Sequence, residues 1–349
     1  MTRPTIRDVA RQAGVGIGTV SRVLNNSPRV DPETRQHVLT TIAEMGFKPN
    51  AIARQLPRKI RINNIGVITQ PFVSYRAFAE RLRGVQTALM QYDTHRELVL
   101  YTVTSLPHYD ARLSTIVQSR SVEGLLIIDL GLTEEQKEMM RDAAVPFVGI
   151  NPLQNQDWPC IGTDNVMGGY MAAKHLLDYG HTQIAYVGDT FSDAFNFRSS
   201  RERHQGYQLA LTEYGIAVRE DYIKLGEHDY EAARTLAAEL FLLPHRPTAI
   251  FAMSDIQALA CIHAAHETGL RVPDDLSVIG YDDLEMSQHI GLTTVRQHLE
   301  LSGRIAVQHL LALLAEVDPQ ADTEPPTILS RPILPPPQVM ARNTTRRIS

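Results

Sequence analysis

Apolar positions follow two different rhythms along this chain. In the first fifty residues they recur at helical spacing in short bursts: Ile6, Val9, Ala10 and Ala13, then Val20, Val23 and Leu24, then Val38, Ile42 and Met45. Thr5-Ile6-Arg7-Asp8 has the form of a capping box that opens the first helix. Gly14 supplies a left-handed stop. After the turn Val15-Gly16 a second helix is predicted over Ile17–Leu24, halted by Asn25-Asn26-Ser27-Pro28. Asp31-Pro32-Glu33 predicts the start of a third, with an aspartate cap, proline at the first helical position and an acid in the first turn. That helix ends at Gly46. Two short helices joined by a tight turn and backed by a third predict a helix-turn-helix over residues 1–48, whose second helix enters the major groove of DNA.

From residue 62 the rhythm changes. Strand-length apolar runs lie at Ile65–Thr69, Leu98–Val103, Gly124–Ile128, Phe147–Ile150, Ile184–Gly188, Ala249–Ala252 and Ser277–Tyr281. Amphipathic helical stretches such as Phe78–Tyr92, Gly168–Tyr179 and Arg203–Tyr214 separate them. This alternation predicts an α/β body built from βαβ units and parallel sheets. Its length is large for one doubly wound sheet and suits two, with ligands expected at the carboxyl ends of the strands.

Composition narrows the class. The chain has 349 residues, 43% apolar and 21% charged, which suits a globular protein of two or three domains and excludes disorder, collagen or coiled coil as whole-chain descriptions. No apolar run approaches the ~18 residues of a membrane span. The start MTRPTIRDVARQAG has no apolar signal-peptide core. Two cysteines, Cys160 and Cys261, lie far apart, which fits a reducing compartment. A cytoplasmic protein with no membrane association is expected.

Charge adds a partner. The net charge of -5 conceals 11 basic and 4 acidic residues in positions 1–61, against 23 basic and 35 acidic in the rest. A basic head of +7 on an acidic body of -12 points to a nucleic-acid module on a separate domain. On charge alone, a solvated basic face is the alternative. The outward side of the second helix carries Ile17, Gly18, Ser21, Arg22 and Asn25. Arg22 has the fork for guanine O6 and N7. Thr19, Ser21 and Asn25 are short hydrogen-bonding groups suited to phosphates.

Other chemistry is sparse. Gly14-x-Gly16-x-Gly18 looks like part of a dinucleotide fingerprint but follows a helix instead of a strand. His263 and His266 are three apart with no third ligand evident. There is no G-x-S-x-G, phosphate-binding loop or H-E-x-x-H. No cofactor, no metal and no enzymatic activity are expected.

The run TIRDVARQAGVGIGTVSRVLNNSPRVDPETRQHVLTTIAEMGFKPNAIARQL is similar to the DNA-binding head of the lactose-repressor (LacI/GalR) family. That resemblance implies a hinge helix and linker over residues 49–61. Asn50, Ala53 and Leu56 of the hinge then join Thr5, Ile17, Thr19, Ser21, Arg22 and Asn25 as DNA-contacting residues. Paired Leu56 side chains would wedge into a minor-groove step. Two departures stand out. Gly16 and Gly18 replace side chains at the start of the recognition helix, and Pro57 obliges the hinge helix to end at or before Leu56.

The resemblance continues through PFVGINP, IGTDNVMGGYMAAKHLLDYGHTQIAYVGD, RERHQGY, PTAIFAMSDIQAL, GLRVPDDLSVIGYDDLE and LTTVRQHLELSGRIAVQHLL. It implies a two-lobed body of the periplasmic-binding-protein type 1 fold over residues 62–342. The N-lobe would take 62–163 and 293–324, and the C-lobe 164–291 and 325–342. Crossovers would fall near Asp164, Gly291–Thr293 and Pro325–Thr327. The same resemblance places Phe78, Asp164, Arg203, Tyr230, Asp255 and Asp282 against an effector between the lobes, with Phe195 and Phe197 beside the same loop. Six of these have a structural alternative: core for the three phenylalanines, a helix cap or lobe contact for Asp164 and Asp282, an ion pair for Arg203. The function implied is a sequence-specific DNA-binding transcriptional regulator of repressor type. It would act as a homodimer on pseudo-palindromic operator DNA under a small, carbohydrate-like effector. A solute-binding protein, or a sugar- or nucleotide-active enzyme on the same body, is the rival reading. The basic head argues against the first, and the missing catalytic constellation against the second.

Overall fold

The computed structural model describes residues 6–16, 19–20, 23, 30–45, 63–70, 75–151, 158–191, 198–317 and 334–348. The chain divides into two compact units, residues 1–61 and 62–349.

In the first unit a helix spans Ile6–Gln12. It ends in a Schellman arrangement: Val15 N donates to Ala10 O at 3.0 Å and Gly14 N to Arg11 O at 3.3 Å, with Gly14 at φ +63°. Thr19 N then donates to Gly16 O at 2.8 Å, and Thr19, Val20 and Val23 are helical. A further helix spans Pro32–Glu44, and Asp31 Oδ1 accepts from Thr34 N at 2.9 Å as its cap. Val9, Ala10, Ala13, Val20, Val23, Val30 and Val38 bury one another, with Ile42 and Met45 half-buried alongside. Three helical segments thus share one small apolar core. Among the residues expected to touch DNA, Thr19 is described, half-buried in the second helical segment. Thr5, Ile17, Ser21, Arg22, Asn25, Asn50, Ala53 and Leu56 lie outside the described residues.

The second unit holds two sheets. β1 (Asn64–Thr69), β2 (Glu97–Thr102), β3 (Gly124–Ile128), β4 (Phe147–Ile150) and β5 (Cys160–Ile161) form an all-parallel sheet in the order β2-β1-β3-β4-β5. β6 (Ile184–Asp189), β7 (Ile223–Gly226), β8 (Ala249–Ala252), β9 (Ser277–Asp282), β10 (Thr293–Arg296) and β11 (Gln338–Met340) form the other, in the order β11-β10-β9-β8-β6-β7. Its pairings are parallel except for the antiparallel β10–β11 edge. Both strand orders are doubly wound.

Helices cover each sheet. Arg76–Tyr92 and Leu299–Val317 bury Phe78, Val85, Leu89, Ala306 and Leu310 against one face of the first sheet. Leu106–Ser119 supplies Tyr109, Leu113 and Ile116 to its other face. On the second sheet, Asn165–Asp178 and Ser199–Glu213 take one face, and Tyr230–Phe241 with Asp255–Glu267 the other. Two glycines set the helix spacing. A Cβ on Gly84 would overlap the Glu300 carbonyl oxygen, and one on Gly169 would overlap the Arg203 carbonyl oxygen. The helices that carry Arg81 and Arg203 therefore pack backbone to backbone against their neighbours.

Among the described residues three passages link the two sheets, and two of them lie away from the expected places. The first follows β5 and reaches the helix Asn165–Asp178 by way of Asp164, where it was expected. The second was expected at 291–293, but those residues lead into β10, which pairs with β9. Buried Thr293 and Thr294 hold that strand in the second sheet, so the chain returns to the first at 297–298. The third was expected at 325–327, outside the described residues. Leu334 is still buried in the core of the first lobe, and β11 begins at Gln338, so this passage is the run of three prolines at 335–337. The second lobe also continues past 342: Val278 N donates to Thr344 O at 2.7 Å and Ile348 N to Tyr179 O at 2.9 Å. Among the described residues no helix is long and apolar enough to cross a membrane.

Candidate functional site

Parallel strands point their carboxyl ends at one edge, and both sheets of the second unit turn that edge toward a shared cleft of about 300 Å³. The residues just past each strand supply its polar wall: Asp129 after β3, Asp189 at the end of β6, Ser254 after β8 and Asp282 at the end of β9. Tyr75, Phe78, Met253, Ile256 and Leu284 supply its apolar wall. The size falls at the lower end of small-ligand cavities.

Each lobe presents a buried arginine beside an aspartate. In the first, Arg81 Nη1 lies 3.3 Å from Asp129 Oδ2, both side chains being 7% exposed. Asn151 Nδ2 donates to Asp129 Oδ1 at 2.6 Å, and Gln70 Nε2 to the Asp129 carbonyl at 2.9 Å. In the second, Arg203 Nη1 lies 3.9 Å from Asp282 Oδ1. Its Nε donates to Asn165 Oδ1 at 3.0 Å and its Nη1 to Met253 O at 2.5 Å. Burial pushes the Asp282 carboxyl above the ordinary range, against the pull of Arg203 and His228. Both aspartates stand in strained backbone, Asp129 at φ +55° and Asp282 at φ +128°.

Gln297, on the second passage, ties the two pairs together. Its Nε2 donates to Asp282 Oδ1, and its Oε1 accepts from Arg81 Nη2 at 3.5 Å. Thr163 Oγ1, on the first passage, donates to the Gln297 carbonyl at 3.1 Å. The cleft floor is thus a buried polar chain running from one lobe to the other.

Of the expected site residues, Phe78, Arg203 and Asp282 line the cleft. Three do not. Asp164 is exposed and caps the helix Asn165–Asp178 by accepting from Met167 N at 2.8 Å. Asp255 is fully buried beneath the wall. Its Oδ2 accepts from Leu284 N at 2.9 Å and Ser287 Oγ at 2.6 Å, and its Oδ1 from Thr294 Oγ1. Those bonds leave it bracing the loop that carries Asp282. Tyr230 points elsewhere, its hydroxyl 2.7 Å from His263 Nδ1. Phe195 and Phe197 lie outside the described residues. Sequence reasoning missed Tyr75, Arg81, Asp129, Asp189, His228 and Gln297. Asp129 and Asp189 had a usable signal, each being an acid directly at the end of an apolar strand.

A helix-turn-helix unit followed by a two-lobed body with a polar cleft defines a DNA-binding regulator coupled to a ligand-binding domain. The signature of bacterial regulatory proteins of the lacI family matches residues 5–50, and that of the periplasmic binding protein-like domain matches residues 173–345. The chain is 34% identical to catabolite control protein A of Priestia megaterium, over 88% of this chain and 91% of that protein. It is 31% identical to the HTH-type transcriptional repressor PurR of Vibrio campbellii, over 99% of each. Among solved structures it resembles the transcriptional regulator CelR in complex with cellobiose, with a TM-score of 0.65 and 30% identity over 98% of this chain and 100% of that one. It also resembles the lac repressor dimer bound to operator and the anti-inducer ONPF, with a TM-score of 0.68 and 28% identity over 99% and 100%. The chain belongs to the lacI family of bacterial regulatory proteins, and it is a DNA-binding transcriptional regulator.

Proposed function

We propose that this regulator is a repressor whose operator affinity is set by a small, hydroxyl-rich effector held in the cleft. The observation that carries the reading is the pairing of Arg81 with Asp129 and Arg203 with Asp282 across one cavity, joined through Gln297. Carboxylates accept from hydroxyls, guanidinium forks donate to oxygens, and Phe78 with Tyr75 offers apolar surface to a sugar face. The related CelR structure holds cellobiose in the same fold. Ligand bridging the two walls favours one arrangement of the lobes, which is what a population shift requires.

The protein acts as a homodimer on a pseudo-palindromic operator, because one helix-turn-helix reads one half-site. Thr5, Ile17, Thr19, Ser21, Arg22 and Asn25 of the head, with Asn50, Ala53 and Leu56 of the hinge, make the DNA contacts. Phe78, Arg203 and Asp282 hold the effector. The test is operator binding by the full chain across a panel of sugars. A sugar that shifts operator affinity supports the reading. Operator binding that no member of the panel alters removes the carbohydrate effector and leaves the DNA-binding assignment standing.

A further inference from the structure

Among the described residues that line the cleft, His228 carries the only imidazole. It sits between β7 and Asp229, the cap of the helix Tyr230–Phe241. Its Nδ1 lies 2.9 Å and 3.0 Å from the two carboxylate oxygens of Asp189 at the end of β6. Gln257 Nε2 donates to Asp189 Oδ1 at 2.8 Å and fixes the carboxylate in turn. A carboxylate can only accept, so Nδ1 carries a proton in either charge state of the ring. The titrating nitrogen is Nε2, on the far side of the ring from Asp189, and no described residue bonds it. The side chain is 24% exposed, and Tyr75 of the opposite lobe stands 4.6 Å away, centroid to centroid.

We infer that His228, aimed by Asp189, is a specificity-determining residue that donates an Nε2 hydrogen bond to an oxygen of an uncharged sugar, so that effector binding takes up a proton. This inference rests on the effector reading of the cleft. Geometry supplies the donor, and charge balance supplies the ligand class. The inner wall sets Arg81, Arg203 and the imidazolium against Asp129, Asp189 and Asp282, each cation beside one carboxylate. Arg76 and Glu227, both exposed at the rim, cancel one another. Among the described residues that line the cleft no cation is left over for a phosphate or a carboxylate, and burying an unmatched anion is costly.

The groups around the ring agree. Asp189 faces it from β6, Asp282 from β9, Arg203 from the helix Ser199–Glu213 and Tyr75 from the other lobe, with Glu227 and Asp229 flanking it in sequence. Burial alone would lower the imidazole pKa. The bond and charge of Asp189, with the charge of Asp282, outweigh burial and Arg203 and leave it raised.

The experiment is isothermal titration calorimetry on the full chain with glucose, galactose, ribose, maltose and cellobiose, and with glucuronate and glucose 6-phosphate. It is run at about pH 6 and about pH 8, either side of the imidazole range, in two buffers of different ionisation enthalpy. A neutral sugar should bind with net proton uptake and bind about tenfold more weakly at the higher pH. His228→Gln should make the affinity independent of pH, and Asp189→Asn should move the midpoint of the profile to lower pH. Sugar binding without a pH dependence, or a pH dependence that survives His228→Gln, overturns the inference and leaves the effector cleft intact. Binding confined to the two anionic compounds overturns the ligand class. If none of these compounds binds, the inference and the reading of the cleft fall together.

Discussion

The guanidinium carbon of Arg203 lies over the ring of Tyr281, 3.7 Å from its centroid. Bonds to Asn165 and Met253 hold the guanidinium there, with Nη1 3.9 Å from Asp282 Oδ1. Lysine has neither the plane nor the fork. Arg203→Lys should weaken effector binding about tenfold or more, roughly 1.4 kcal/mol or beyond. Operator binding without effector should stay near normal. Operator titrations at rising effector concentration check this, and an unmoved midpoint would contradict it.

Asp282 combines a cleft-facing carboxylate with a backbone that L-residues avoid, at φ +128°. Asp282→Ala and Asp282→Gly should both abolish the effector response. They should differ in stability: glycine tolerates that φ, so Asp282→Gly should melt above Asp282→Ala by an amount equivalent to roughly 1–3 kcal/mol. Thermal denaturation of the two variants makes the comparison, and equal melting temperatures would mean the strain has no energetic weight.

Arg22 offers the best base-reading fork on the second helix of the head, as judged from sequence. Arg22→Ala should cost roughly 1–3 kcal/mol on the specific operator and much less on nonspecific DNA. Equal losses on both would reduce Arg22 to a phosphate contact.

Gly84 faces the Glu300 carbonyl with no room for a methyl group. Gly84→Ala trades a gain in helix propensity for an overlap with backbone, which cannot rotate away. The net change should be destabilising by roughly 1–3 kcal/mol. A melting temperature at or above the parent's would show that the two helices can slide apart.

His175 and His181 hold the last residues of the chain. His175 Nε2 lies 2.9 Å from Thr345 Oγ1, and His181 Nε2 lies 3.1 Å from Arg346 O. Burial lowers both imidazoles below their ordinary value. A histidine with a depressed folded pKa is protonated first in the unfolded chain. Stability from this pair should be complete above about pH 6.5 and decline as pH falls below it. Melting temperatures across that window should drop less steeply in His181→Gln, and an unchanged slope would clear His181 of the effect.

Seven strands were legible as apolar runs, six of them buried parallel strands, and the seventh, β2, an edge strand with no buried residue, through Leu98, Val99 and Leu100. β5, β7, β10 and β11 were not. They are two to four residues long, and three of them lie at sheet edges. The Thr293 and Thr294 hydroxyls of β10 read as loop until their partners, Thr345 Oγ1 and Asp255 Oδ1, are seen. Asp164 and Asp255 show why the site was only partly legible. An acid at a helix start serves equally well as a cap, a loop brace or a ligand contact, and local pattern does not separate these roles. Arg81 and Asp129, or Asp189 and His228, become partners only when distant strands align, 48 and 39 residues apart.

The triple proline at 335–337 gives one of the three passages between the lobes a mechanical character. Proline has no N–H to join a sheet, and its φ is locked, so the segment acts as a strut of nearly constant length, about 3.1 Å per residue. A linkage with one rigid bar can swivel but cannot stretch. On the effector reading of the cleft, a ligand there would change the angle between the lobes more readily than the length of this passage.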